Sequence, residues 1–486
     1  MLTRRTVLGG MAGLAGAGAL AGIGMRTSPA RAGEGLPARP SVPAGRRHDL
    51  TFVAAEREAR LLGPSGPASR VWTYTDDLFG VVRMRLGDTL CARLDNRLPE
   101  HTSMHWHGIR VPNSQDGVQY LTQPPVNPGE TFAYEFTPPD TGTFFFHPHC
   151  NETGQVGRGL AGILIVEGDE QEPSHADLVL ANKDWRLAED GSWLSFDTLE
   201  GASRAGTFGT VRAVNGEQAF SAEVPAHGDI RLRILNLDAT RMIEVGVEGA
   251  EAYVIATDGN PITPFPLHSW RLGAAMRLDV LVRAPAAGTT FRVLDYFSAE
   301  PWPLATVRAA PSGLQPRPFS PKPLYASSVP RADLKNAERM SFAFSAATGA
   351  AGFVQAVAQD DPLAKVLLDS LCVQESTFWA INKTSWPNAD HRRMPPPLAM
   401  LEAGRSYVFE LMNATPHPHP IHLHGHMFEV LSASRSDVPR FLADTVLLHP
   451  KERIEIAFVA KRGDWMFHCH ILEHLEFGMM GYVRAV

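Results

Sequence analysis

Gly463-Asp464-Trp465-Met466-Phe467-His468-Cys469-His470 is the stretch from which the rest of the chain can be read. It recurs as Gly142-Thr143-Phe144-Phe145-Phe146-His147-Pro148-His149. It recurs again, without histidines, as Gly288-Thr289-Thr290-Phe291-Arg292-Val293-Leu294-Asp295. Each copy follows a second template. Gly87 to Asn96 leads after nine residues to His105, Gly228 to Asn236 leads to Val245, and Gly404 to Asn413 leads to His422. A glycine turn, an alternating apolar run and an asparagine stop form the period-two signature of a half-buried strand. Three pairs of templates predict an all-β chain of three consecutive Greek-key β-sandwich domains, at residues 46–170, 171–310 and 339–486. The proline-rich run from Pro311 to Pro330 cannot hold a central strand, so 311–338 reads as a stiff linker. Helical patterning is scarce, and Phe353 to Leu371 is its best candidate.

The wider composition agrees. The chain has 486 residues, 44% hydrophobic and 20% charged, which is an ordinary globular mix that excludes disorder, collagen and coiled coil. Gly 42 and Pro 38 favour turns and short strands. A net charge of −7 offers no basic surface for nucleic acid. Residues 1–32 read as a twin-arginine signal peptide. Arg4-Arg5 precedes a Gly/Ala-rich apolar stretch, and Ala30-Arg31-Ala32 is an A-x-A cleavage site. Nothing after it approaches ~18 uninterrupted apolar residues. The mature chain is therefore expected to be exported by the twin-arginine machinery, most simply to the periplasm, with no stable membrane insertion. Four cysteines are too few for a disulfide scaffold, and the pairing of Cys91, Cys150 and Cys372 is not legible.

Of 19 histidines, ten fall in four short clusters. Four H-x-H pairs stand out: His105/His107, His147/His149, His422/His424 and His468/His470. On a strand, residues i and i+2 share a face, so each pair aims both imidazoles at one point. The pairs occupy matched positions in the first and third copies and are absent from the second. Facing domains would bring all eight rings together. So many nitrogens favour a copper cluster over a catalytic zinc, which takes about three protein ligands.

A different site surrounds Cys469, whose side chain points to the opposite strand face from His468 and His470. His474 and Met479 follow it, and His419 comes from a neighbouring strand. Two His, one Cys and a weak axial Met describe a blue-copper electron-transfer centre. Met480 competes with Met479, and spacing favours Met479. In the first copy the equivalent positions are Thr102 and Pro148, so that domain has no such site. The other nine histidines read as structural or exposed, with His426, two residues past His424, the most ambiguous.

On these motifs, residues 46–486 resemble the multicopper oxidases in their three-domain laccase-like branch, which implies cupredoxin-like domains and four copper ions per chain. The resemblance implies type 1 copper on His419, Cys469, His474 and Met479, and type 2 copper on His105 and His422. It implies a type 3 pair on His107, His147, His149, His424, His468 and His470. A small reducing substrate, phenolic or aromatic-amine in class, would deliver electrons through the exposed edge of His474 or His419. They would pass along Cys469 to the cluster that reduces dioxygen to water. Asp116 matches the family's proton-delivering acid, and its Asp-Gly context also suits a plain turn. The acid that often follows the last type 1 histidine is here Leu475, leaving Glu473 and Glu476 as candidates.

Rival readings are a cuprous oxidase for copper tolerance and a copper-free structural relative of the kind that supports cell division. The 15 methionines are scattered, with no Met-rich insert, which disfavours the first. The intact ligand set disfavours the second.

Overall fold

The computed structural model describes residues 32–42, 45–346, 378–386, 394–435 and 439–486. The twin-arginine segment (save Ala32), the helical candidate at 353–371, Cys372 and His391 lie outside them. The described chain is almost entirely β, arranged as six sheets in three face-to-face pairs, which are three cupredoxin-like sandwiches.

The templates supply the centre of each sandwich. Thr89–Asn96, Asp229–Asn236 and Ser406–Asn413 are interior strands, each paired in parallel with the first strand of its domain. Their asparagines stop the strands by side-chain hydrogen bonds: Asn96 Nδ2 donates to Val126 O at 2.8 Å and Asn413 Nδ2 to His417 O at 2.7 Å. The other template forms the strands Gly142–His147, Thr290–Asp295 and Gly463–Cys469 of the second sheets.

In the second sheets the histidine strands meet. His105 pairs directly with His147, and His422 with His468. The middle domain departs from the spacing, because Val245 faces Asp295 and not Val293. The slip is two residues, which keeps every side chain on its own face.

Two apolar cores tie the domains together. One runs without a break from Ile230, Val254 and Val280 of the middle domain into Phe409, Phe467 and Cys469 of the third. Another joins Phe145 and Ile163 of the first to Trp185 and Leu235 of the second. Burial on that scale, at ~25 cal/mol per Å² of apolar surface, holds the outer domains in fixed relation. Residues 311–337 form no strand, and Tyr325 N, Ala326 N and Ser328 N bond Asp169, Pro37 and Asp140 as this stretch crosses the surface.

Among the described residues no helix is long and apolar enough to cross a membrane. Cys91, Cys150 and Cys469 are free thiols.

Candidate metal centre

All eight paired histidines converge between the first and third domains, each nearly or wholly buried. Their nitrogens form three groups in which every atom lies within 4.8 Å of the others: His105, His107 and His422; His107, His147 and His470; His149, His424 and His468. The strand-face argument holds fully only for His105–His107. His149, His424 and His470 stand just past their strand ends. What aims them is the turn that follows each strand.

Four of the rings are anchored through Nδ1 on a backbone carbonyl. His105 Nδ1 donates to Asp116 O at 2.7 Å, His147 Nδ1 to Pro148 O at 2.9 Å, His422 Nδ1 to Asp444 O at 2.8 Å and His468 Nδ1 to Cys469 O at 2.9 Å. A carbonyl only accepts, so in each neutral ring the proton sits on Nδ1 and Nε2 is left as a bare lone pair. The Nε2 atoms of His105, His147 and His422 have no hydrogen-bond partner. His424 Nδ1 donates to Asp116 Oδ2 at 2.9 Å, and its Nε2 lies 3.2 Å from His149 Nε2 and 3.1 Å from His468 Nε2. Lone pairs turned on one another in a dry interior repel unless a cation lies among them. These residues fit a metal cluster.

A second site lies in the third domain. Cys469 Sγ is 3.5 Å from His419 Nδ1 and 3.6 Å from His474 Nδ1, and those two nitrogens are 3.1 Å apart. Both rings again hold their protons on the far nitrogen. His474 Nε2 donates to Arg204 O at 2.7 Å, and His419 Nε2 lies 2.7 Å from Thr415 Oγ1, whose own proton goes to His417 O. Met479 is fully buried, bonding His474 O through its N–H and Cys469 N–H through its carbonyl. It packs in the core that contains Cys469, whereas Met480 packs with Val118, Met466 and Leu475. That separates two neighbours which spacing alone only ranked.

Burial is the first cause of every shift here. It holds His107, His147, His419, His422, His424, His468 and His470 well below the usual imidazole value, and His474 at about 3, so the rings are neutral ligands. It pushes the Cys469 thiol up. For each depressed histidine the unfolded chain binds the extra proton. Stability is therefore complete above the unfolded value of ~6.5 and falls with pH, by ~1.4 kcal/mol per unit per group, until the folded value is reached. For His474 that window runs from ~6.5 down to about 3. The metal-free protein is expected to lose unfolding free energy steeply between pH 7 and pH 5, as measured by denaturant titration. A flat profile would contradict the burial of these rings as neutral groups.

Asp116 is wholly buried, with one carboxylate oxygen on His424 and the other 3.5 Å from His105 Nδ1, so it is more than a turn residue. Gly117 beside it has φ +80, and a Cβ there would lie 1.9 Å from Met104 O. Glu473 accepts from Thr207 N, Thr207 Oγ1 and Thr198 N; Glu476 accepts from Thr153 N and Oγ1. Burial raises both to about 7. Sequence reasoning missed Glu152, whose carboxylate lies 2.7 Å from His149 Nδ1. An acid three residues past a ligand on a short helix, Glu152–Gly157, was the available signal. His426 is structural, its Nδ1 donating to His424 O and its Nε2 accepting from Lys461 N.

One expectation fails. Neither His419 nor His474 has an exposed edge; both are 0% exposed. The segment 198–208 of the middle domain roofs the site, held by Arg204 O on His474, by Ala202 O on Trp379 Nε1, and by Thr198 and Thr207 on Glu473.

Comparison with known proteins agrees along the whole length. Three family models, each described as multicopper oxidase, match residues 58–171, 178–302 and 365–486. The multicopper oxidase MmcO of Mycobacterium tuberculosis is 29% identical, over 98% of this chain and 95% of that protein. A laccase of Cryphonectria parasitica is 27% identical, over 89% and 81%. The crystal structure of a multi-copper oxidase from Pseudomonas thermotolerans superposes with a TM-score of 0.79 at 36% identity, covering 90% of this chain and 99% of that one. Imidazoles turned inward beside a buried thiol are a donor set that suits a soft cation. With the match running through all three domains, the chain belongs to the multicopper oxidase family and is a copper-dependent oxidoreductase that uses dioxygen.

Proposed function

We propose that the chain is a laccase-like oxidase of phenols and aromatic amines, with four copper ions in two separate centres. Type 1 copper is held by His419, Cys469, His474 and Met479. Type 2 copper is held by His105 and His422. The type 3 pair is held by His107, His147 and His470 on one side and His149, His424 and His468 on the other. The observation that carries this is the set of bare lone pairs: apart from His149 and His470, each ring gives its proton to a carbonyl, carboxylate or hydroxyl and turns its other nitrogen inward. Bound there, copper would supply one-electron redox chemistry, storing four electrons taken singly from the substrate, which with four protons carry dioxygen to two waters.

The chain's own residues supply the rest. Cys469 is covalently continuous with His468 and His470, so one strand end links the two centres. The roof at 198–208 keeps a reductant off the His474 ring, and the electron enters across the Arg204 peptide that bonds it. Asp116 orients His424 and stands where a proton is needed. Glu152 orients His149. Glu473 braces the roof, and Glu476 ties the third domain to Thr153 of the first. The twin-arginine leader exports the folded protein to the periplasm.

Copper-loaded protein is expected to bind about four ions and to be blue, because a thiolate on Cu(II) absorbs strongly in the red. Oxygen uptake should follow addition of phenols and aromatic amines. Uptake with Cu(I) alone would move the reading to a cuprous oxidase. One zinc and no colour after reconstitution would overturn it altogether.

A further inference from the structure

We propose that Arg277, in the domain that carries none of the paired histidines, is a positioning residue for the cluster between the other two, acting through Asp444 on His107 and His422. The inference rests on the ligand assignment above.

Arg277 is fully buried and opens the strand Arg277–Arg283. Its guanidinium has five N–H groups, and all five are engaged. Nη1 donates to Asp444 Oδ1 at 2.9 Å and Ala275 O at 3.1 Å. Nη2 donates to Asp444 Oδ2 at 2.6 Å and Asp258 O at 3.1 Å. Nε donates to Thr143 O at 3.2 Å. The acceptors belong to all three domains, so this one planar group is where they meet.

Asp444 passes the constraint on. Its Oδ1 accepts from His107 Nε2 at 3.0 Å and from Thr445 Oγ1 at 2.8 Å, and its carbonyl accepts from His422 Nδ1 at 2.8 Å. His107 thus keeps its proton on Nε2, and its unpartnered Nδ1 faces the cluster; His422 does the reverse with Nε2. The two rings stack at 3.8 Å and 18°, one from each outer domain. Asp258 closes the frame by accepting from Arg277 N at 2.8 Å and from Asp444 N and Thr445 N at 3.3 and 3.2 Å. Access depends on Gly108, the residue after His107. A Cβ there would come within 2.4 Å of Arg277 Nη2 and 2.5 Å of Asp444 Oδ2.

A buried ion pair is weak evidence for stability, since apolar residues of similar volume often serve as well. What apolar residues cannot do is leave a carboxylate oxygen aimed at a ligand's N–H. Carboxylates in that position fix the tautomer and ring angle, and their loss typically weakens metal binding about 10–100-fold. Lysine keeps the charge of Arg277 but has neither the planar fork nor five donors.

The test uses copper-loaded protein and the variants Arg277→Lys and Asp444→Asn, alone and together. Chelator titration should show copper other than type 1 leaving about 10–100-fold more readily, with the type 2 electron paramagnetic resonance lines altered. Blue absorbance and the rate of type 1 reduction should match wild type. The two substitutions should be non-additive, because they break one unit. If either variant keeps wild-type resonance lines and copper retention, or if their effects add, Arg277 is only a bond between domains and the proposal fails. If Arg277→Lys does not fold, Asp444→Asn decides by the same readouts. Failure of the ligand assignment would look different, since wild type itself would then lack the type 2 lines.

Discussion

Cys469→Ser is expected to bleach the protein and reduce oxygen uptake to background while the fold survives. The thiol is fully buried, its Sγ 3.5 Å from His419 Nδ1 and 3.6 Å from His474 Nδ1. Serine fits the space, but its hydroxyl is a hard, protonated donor and gives copper no thiolate to absorb through. The strand does not depend on the sulfur, since Cys469 N–H still bonds Met479 O. The variant should therefore unfold within ~1 kcal/mol of the metal-free parent. Because burial pushes the thiol up, loading type 1 copper into the parent must expel the thiol proton at neutral pH. That release is measurable in weakly buffered solution and should be missing from the variant. A blue Cys469→Ser protein would end the assignment.

Asp116→Asn is expected to separate the two halves of the reaction. Copper content and the rate of type 1 reduction should stay near the parent's, while steady-state oxygen turnover falls ~10²-fold or more, the scale of losing a general acid. The reason is position: the carboxylate takes the N–H of His424 through Oδ2, stands 3.5 Å from His105 Nδ1, and is closed off from solvent. Asparagine keeps the shape and one acceptor but cannot carry a proton at neutral pH. Leu475 is apolar and buried, so nothing at that position compensates. Stopped-flow reduction alongside oxygen-electrode turnover checks both halves. Parental turnover in Asp116→Asn would leave Asp116 a ligand-orienting residue alone.

Much of this protein is local chemistry, and local chemistry is legible along a chain. Strand period, glycine turns and asparagine stops predicted the three sandwiches because they depend on neighbours in sequence. The histidine pairs and Cys469 were legible for the same reason, since donor type and spacing of two or five residues are properties of one segment. What lay outside that reach depends on contacts between segments far apart. The two-residue slip that sets Val245 against Asp295 is a pairing of two strands. Met479 and Met480 differ only in which core each enters. The roof over His474 comes from a segment some 270 residues away. Arg277 and Asp444 looked like ordinary charges until the fold placed them behind His107. The sequence by itself determined which groups could bind metal. The tertiary structure alone decided which nitrogens keep their protons and what covers them, because a ring's tautomer is set by the acceptor behind it, and those acceptors arrive from other turns and other domains.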